Sequence, residues 1–370
     1  VAGRLIDNMV KMDYPRHKLQ IQVLDDSTDE TLDITKQKVK QYSDEGFDIE
    51  LHHRTNRKGF KAGALKQAQD TARGEFIAIF DADFMPEHDF LRRTLPYFYK
   101  PDTGVVQTRW THLNQSYSLL TELQAFQLNV HFITEQTGRY KGGYFLQFNG
   151  TAGVWRKECI TDSGGWQPDT LTEDLDLSYR AQMKGWKIIY LEDVESPAEL
   201  PVEINGLKSQ QYRWMKGGAE TARKILPKLW SSKAGLSVKI HGTYHMLVGT
   251  LFPVVFAFGL LSLALLWFKE QFMAVSGILS WFMGGMAIVG VVYYTANVLR
   301  AWPEQNRLWM HLKFLVLFPV FISVSMALSL HNAVAVLDGY LGRKTDFVRT
   351  PKYGITNRKN RPTRRTYFSG

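Results

Sequence analysis

A chain of 370 residues is long enough for two domains, or for one domain followed by a membrane part. Lys and Arg number 45 against 36 Asp and Glu, a net +9 that suits an anionic substrate or an anionic membrane surface; with no basic run interleaved with aromatics in the first half, nucleic acid is not expected as a partner. The single cysteine, Cys159, excludes an internal disulfide, fits a reducing compartment and reads as core filler.

The chain opens on VAGRLIDNMVKMDYP, an amphipathic helix with Leu5, Ile6, Met9, Val10 and Met12 at helical spacing, and no signal-peptide pattern is visible. A helix that feeds straight into a strand should follow an earlier strand, so a first strand is expected before residue 1. Residues 19–24 (LQIQVL) read as a strand ending in Asp25-Asp26, 29–42 as a helix, 49–53 as a strand and 60–71 as a helix. Residues 76–80, the start of FIAIFDADF, read as a strand buried on both faces, and 105–109 as a further short strand. Strands alternating with helices predict an α/β, Rossmann-like domain with a mostly parallel sheet, whose ligands gather at the strand C-termini.

From about residue 239 the composition turns apolar. Residues 244–268 and 272–299 are each long enough to cross about 30 Å of hydrocarbon, and Lys269-Glu270-Gln271 between them predicts a transmembrane hairpin. The stretch 312–337 carries Pro319, Ser323, Ser325, Ser329, His331 and Asn332 and is expected to lie in the interface or re-enter. The tail from Arg343 is densely basic, hence cytoplasmic, and a third full crossing would put it outside. The expected division is 1–200 catalytic, 201–238 amphipathic interface helices, 239–300 hairpin, 308–340 interfacial or re-entrant, and 341–370 basic tail.

Six constellations carry chemistry. Asp81 and Asp83 stand at the C-terminal end of a strand, and alternate residues of an extended turn can face one target. Two such carboxylates repel unless a cation or a hydrogen-bond donor lies between them, and Mg2+ or Mn2+ completed by substrate phosphates fits a site with so few protein ligands; a turn that starts the next helix is the plain alternative. Asp25 and Asp26 end the first strand, where Ser27 with Glu30 also makes a capping box; Asp26 is read against a base or ribose with Asp25 alongside. In RKGFKAGAL (57–65), Lys61 is a candidate for a diphosphate. Asn149, Gly150 and Thr151 are small and polar enough to meet sugar hydroxyls. Three acids in Thr172-Glu173-Asp174-Leu175-Asp176 exceed what capping needs, so Asp174, with Glu173 as the alternative, is the candidate general base. In SQQYRWMKG (209–217), Gln210, Gln211 and Arg213 can bond phosphate or acceptor and Trp214 offers a flat face to a sugar ring, while an interfacial helix anchored by Arg and Trp explains the same residues.

Taken in this order and followed by membrane helices, the acid pair, Asp-x-Asp, Thr-Glu-Asp and Gln-Gln-x-Arg-Trp resemble the processive family 2 glycosyltransferases, which include cellulose synthases and cellulose-synthase-like (gluco)mannan synthases. The resemblance covers essentially the whole chain, and FNGTAG (148–153) is closer to the mannan-synthase-like branch than to the Cys-Gly-Ser type of cellulose synthases. It implies a GT-A fold and inverting hexosyl transfer from UDP-glucose or GDP-mannose to a growing β-glycan. Asp26, Asp81, Asp83 and Arg213 would meet the nucleotide and metal, Asp174 would be the base, and Gln210 and Trp214 would meet the acceptor. FVRTPKYG (347–354) is similar to a gating loop, with Thr350 and Lys352 as its contacts. Implied partners are the donor, a polysaccharide acceptor, a lipid bilayer and a subunit for export, with the catalytic domain on the cytosolic side of a cytoplasmic membrane. Other readings are a glycolipid-forming transferase that adds one hexose and an inactive membrane subunit.

Overall fold

The computed structural model describes residues 1–267, 275–300, 307–345, 348 and 350–356. Strand β1 (Ile21–Asp25) pairs in parallel with β2 (Ile49–His53), in a register that sets Asp25 opposite His53. The crossover helix Thr31–Asp44 closes this unit, with Val39 packed on Ile6 and Ile49.

The second sheet has four strands in the order β3-β5-β4-β6, formed by β3 (Phe76–Ile79), β4 (Thr103–His112), β5 (Gly153–Arg156) and β6 (Lys187–Ala198). Here the expected mostly parallel sheet is corrected to a mixed one. β4 and β6 are parallel, but β5 runs antiparallel to both β3 and β4. The reason is the path of the chain. Residues 148–152 cross the C-terminal ends of β3 and β4, so Gly153 enters opposite Ile79 and Gln107 and must run back down. Four residues show no usable periodicity, yet all of β5 is buried. A second correction concerns β3, which is an edge strand of this sheet: Ile79 is buried, Phe76 and Ile77 are half-buried and Ala78 is exposed.

Alternation along the strands divides the core. Val105, Trp155, Ile188 and Tyr190 pack on one face with Leu177 and Trp166, while Val106, Val154 and Leu191 pack on the other with Phe90 and Leu91. The β4–β6 ladder shifts register between Thr108 and Arg109, then continues to His112 opposite Ala198. That extension reaches the Asp81–Asp83 turn. Met85 N–H donates to Pro197 O at 2.8 Å, and Glu199 N–H to Asp83 O at 3.2 Å.

The helical half is built on Ile204–Ser231, whose Ala222, Ile225 and Leu229 pack on Leu175, Tyr179 and Met246. Residues Leu236–Ser262 and Leu308–Ala327 are long and apolar enough to cross a membrane, by length and composition. Val254, Phe258, Leu261, Ile288, Val291, Leu312 and Leu315 are exposed around them. The predicted hairpin turn 269–271 lies outside the described residues. The stretch 312–337 is not one element. Helix Arg307–Ala327 packs Leu317 and Phe321 on Leu123 and Phe126, and a second helix, Ser329–Leu341, docks on Ile204–Ser231. Two polar residues of the stretch serve that docking: His331 bonds Lys208 O at 3.0 Å and Asn332 Nδ2 donates to Gln211 Oε1 at 3.1 Å.

Candidate active site

The turn after β3 is pinned from both sides. Asp81 N–H donates to Thr151 Oγ1 at 2.8 Å, so the loop before β5 fixes where the Asp81 carboxylate starts. Lys61, on helix Phe60–Thr71, pairs with Asp81 and donates to Gly150 O at 2.9 Å. Burial pulls the Lys61 ammonium down, but Asp81, Glu173 and Asp174 outweigh it and hold its pKa above the ordinary value. Four segments far apart in sequence therefore converge: the Lys61 helix, the Asp81 turn, the Gly150 loop and the first turn of helix Glu173–Met183.

Gly150 is the hinge of this convergence. Its φ is +79°, and a Cβ there would lie 3.1 Å from Asp174 Oδ2 and 3.6 Å from Lys61 Nζ. Gly150→Ala is expected to displace the acid and to lower kcat/KM roughly 10- to 100-fold with an unchanged circular dichroism spectrum; wild-type kinetics in that variant would show that this approach is not used.

Glu173 and Asp174 are half-buried at the start of their helix, and burial pushes both carboxyls above the ordinary range. Like charge between the two raises Glu173 further. For Asp174 the backbone N–H of Leu175 and the Lys61 charge pull the other way. Helix Ile204–Ser231 holds this segment: Leu171 N–H donates to Glu220 Oε2 at 2.8 Å, and the Thr172 and Thr221 hydroxyls are 3.0 Å apart. The third acid is structural. Asp176 is fully buried, takes Arg180 Nε and Nη2 at 2.9 and 2.7 Å, and lies 3.0 Å from Lys224.

The other predicted residues separate by geometry. Asp83 Oδ2 lies 2.7 Å from Lys352 Nζ, and Arg213 Nη2 donates to Thr350 Oγ1 at 3.1 Å, so the tail segment does return over the turn. Burial lowers the Arg213 pKa, and Asp81, Glu173 and Asp83 oppose that shift, which places the guanidinium within the field of the same acids. Gln210 and Trp214 are half-buried and share a helix face with Arg213. Gln211 does not join them: it is buried and bonded to Asn332. Asp26 accepts Arg54 Nε at 2.9 Å, and Arg54 Nη2 also donates to Phe60 O at 2.8 Å, tying the Asp26 loop to the Lys61 helix. Asp25 is buried, with one oxygen on Ser27 N–H and the other on the Thr35 hydroxyl, each at 2.7 Å; it braces the turn, and Asp26 is the acid left facing the loop.

One group was not singled out from sequence. His131 Nε2 meets Asn149 Oδ1 at 2.9 Å while its Nδ1 meets Glu135 Oε2 at 3.1 Å, on the π-helical turn Val130–Gln136. Burial works against the Glu135 carboxylate, yet the His131 hydrogen bond and charge, with Arg139, hold its pKa down at about 2. The spacing of His131, Glu135 and Arg139 by four is the signal that could have found it.

The donor set fits a hard divalent cation. Asp81 and Asp83 are each paired with a lysine ammonium, Lys61 and Lys352, so both carboxylates already face a side-chain cation that a metal ion would displace or share. Among the described residues no group of three or more His, Cys, Asp or Glu side chains is gathered for a metal. One or two carboxylates are the usual protein share of a Mg2+ site completed by phosphate oxygens and water.

A family model described as "Glycosyltransferase like family 2" matches residues 1–217. The chain is 42% identical over 238 residues to a "Probable glucomannan 4-beta-mannosyltransferase 4" of Oryza sativa subsp. japonica, covering 62% of this chain and 43% of that protein. It is 39% identical over 257 residues to "Glucomannan 4-beta-mannosyltransferase 7" of Arabidopsis thaliana, covering 68% of this chain and 46% of that protein. It thus spans under half the length of these curated relatives. A solved structure, "Mannosyltransferase PcManGT from Pyrobaculum calidifontis in complex with GDP-Man and Mn2+", superposes with a TM-score of 0.58 at 18% identity, over 93% of this chain and 84% of that one, which shows a shared fold.

Proposed function

Because the chain belongs to the glycosyltransferase-like family 2, we propose that it transfers a hexosyl unit from a nucleotide sugar to a growing β-glycan, with inversion at the anomeric carbon. The observation that carries the reading is the meeting of Asp174, Gly150, Lys61 and Asp81 at one point. The mannosyltransferase relatives favour GDP-mannose over UDP-glucose as donor. Asp174 accepts the proton of the acceptor hydroxyl as that oxygen bonds to the anomeric carbon, and the bond to the nucleoside diphosphate breaks on the opposite face. Arg213 and Lys61 lie among the same acids and oppose the negative charge that grows on the leaving group. Mg2+ or Mn2+, held by Asp83 and Asp81, would supply neutralisation of that diphosphate when bound. Asn149, Thr151, Gln210 and Trp214 receive the acceptor, and the apolar helices hold the site at a bilayer with its catalytic side facing the cytosol.

The rate should follow deprotonation of Asp174. Its pKa is raised, so activity is low in acid and appears as pH rises through that raised value, above the ordinary carboxylate range. Lys61→Met removes a cation that lowers the Asp174 pKa, and the acid limb of a kcat/KM profile should move to higher pH; a limb that stays in place would separate Lys61 from the base. The function itself is tested by incubating membranes carrying the full-length protein with labelled GDP-mannose or UDP-glucose. A polymer ladder digested by a β-1,4-mannanase is the expected product. A single lipid-soluble product would favour the glycolipid reading, and no turnover of either donor would remove the transferase reading.

A further inference from the structure

Glu199 has no part in the chemistry above, yet it is bonded both to the Asp83 turn and to the tail. It follows directly on β6, and its side chain is only 1% exposed. A carboxylate so far from water needs donors or a counter-charge. It receives both: its two oxygens accept the consecutive backbone N–H groups of Tyr353 at 2.8 Å and Gly354 at 3.0 Å, and Arg4 lies 3.8 Å away. Consecutive N–H groups converge on one anion when a left-handed residue follows an ordinary one, and Gly354 has φ +73°. The Glu199 carbonyl accepts Lys352 Nζ, and the Glu199 N–H donates to Asp83 O at 3.2 Å.

We infer that Glu199 is a positioning residue: it anchors the tail at Tyr353-Gly354 and thereby holds Lys352 against Asp83, beside the proposed diphosphate site. Thr350 is tied to Arg213 at the other end of the segment, so Lys352 is suspended between two anchors. With Glu199 replaced by Gln the Tyr353-Gly354 anchor is weakened, and Lys352 keeps the Glu199 carbonyl and Asp83 with only the Arg213 anchor intact on its flank. The effect on transfer rests on the proposed transferase reading; the anchoring itself does not.

The test uses the full chain in membranes, as wild type, Glu199→Gln and Gly354→Ala. Gln keeps the size of Glu but turns an amide N–H2 toward one of the two backbone donors. Ala strains the left-handed backbone from the tail side and leaves β6 untouched. Trypsin cleavage after Lys352 is timed against cleavage after the exposed Lys40, an internal reference on helix Thr31–Asp44. Loss of a charge-assisted hydrogen-bond pair should speed cleavage after Lys352 by about tenfold in both variants, with Lys40 unchanged. In transfer assays the same variants should raise KM for the donor by about tenfold while kcat falls much less. Equal cleavage after Lys352 in all three proteins, or acceleration at Lys40 in step with it, would overturn the anchor. If wild type turns over neither donor, the transferase reading fails while the protease ratio still reports on Glu199.

Discussion

Asp174→Asn should reduce glycosyl transfer by about 10²- to 10⁴-fold, the usual loss on removing a general base. The amide has nearly the same shape, so the packing around it, including the approach of Gly150, should survive. What disappears is the proton acceptor, together with one of the negative charges that raise the Lys61 pKa. Donor binding should therefore persist, because Asp83, Arg213 and Lys352 are unchanged. Single-turnover assays at saturating donor, paired with calorimetry of the nucleotide, separate the two effects. A variant that transfers at the wild-type rate would take Asp174 out of the mechanism. Glu173 would then be the acid to replace next, since burial raises its pKa in the same manner.

The second large effect is expected at Asp83. Its carboxylate is paired with Lys352 and is half-buried at the end of the turn. Asp83→Asn removes a hard anionic donor from a pair that has no third protein ligand among the described residues. Divalent-dependent donor affinity should fall by about 10²-fold or more, given that a bound metal is worth several kcal/mol to the charge of the leaving group. In wild type, a chelator should abolish transfer and added Mn2+ or Mg2+ should restore it. In Asp83→Asn, addition of metal should restore little. Calorimetry of the nucleotide with and without Mn2+ checks this, and equal metal dependence in variant and wild type would assign the cation elsewhere.

The residues bearing the proposed chemistry were readable because each sits in a local pattern with a physical signature. Asp81 and Asp83 end an apolar strand. Glu173 and Asp174 open a helix with more acid than its dipole needs. Lys61 stands in a glycine-rich helix start. These signals are short in range, and the structure brings Lys61, Asp81 and Asp174 together around Gly150. Membrane-crossing length is likewise a property of composition: among the described residues Leu236–Ser262, overlapping the first arm of the expected hairpin, meets it, and so does Leu308–Ala327, which overlaps the stretch expected to lie in the interface or re-enter. Other placements depended on partners outside the local pattern. Asp25 and Asp26 are equivalent as text, but Thr35 and Ser27 take one and Arg54 takes the other. Gln210 and Gln211 differ only because Asn332 waits behind the second.

Residue types and spacing alone determined that this chain carries an α/β domain with carboxylates at strand and helix ends, followed by apolar helices. Hydrophobic periodicity and the chemistry of acids in a turn act over a few residues, so the sequence is enough for them. Only the tertiary structure decided that β5 is threaded backwards between β3 and β4, that His131 supports Asn149, and that the tail returns to lay Lys352 on Asp83 under the hold of Glu199. Each of these joins groups from 18 to more than a hundred residues apart. Which buried donor meets which acceptor across such distances is set by the packing of the whole fold, and no local pattern encodes it.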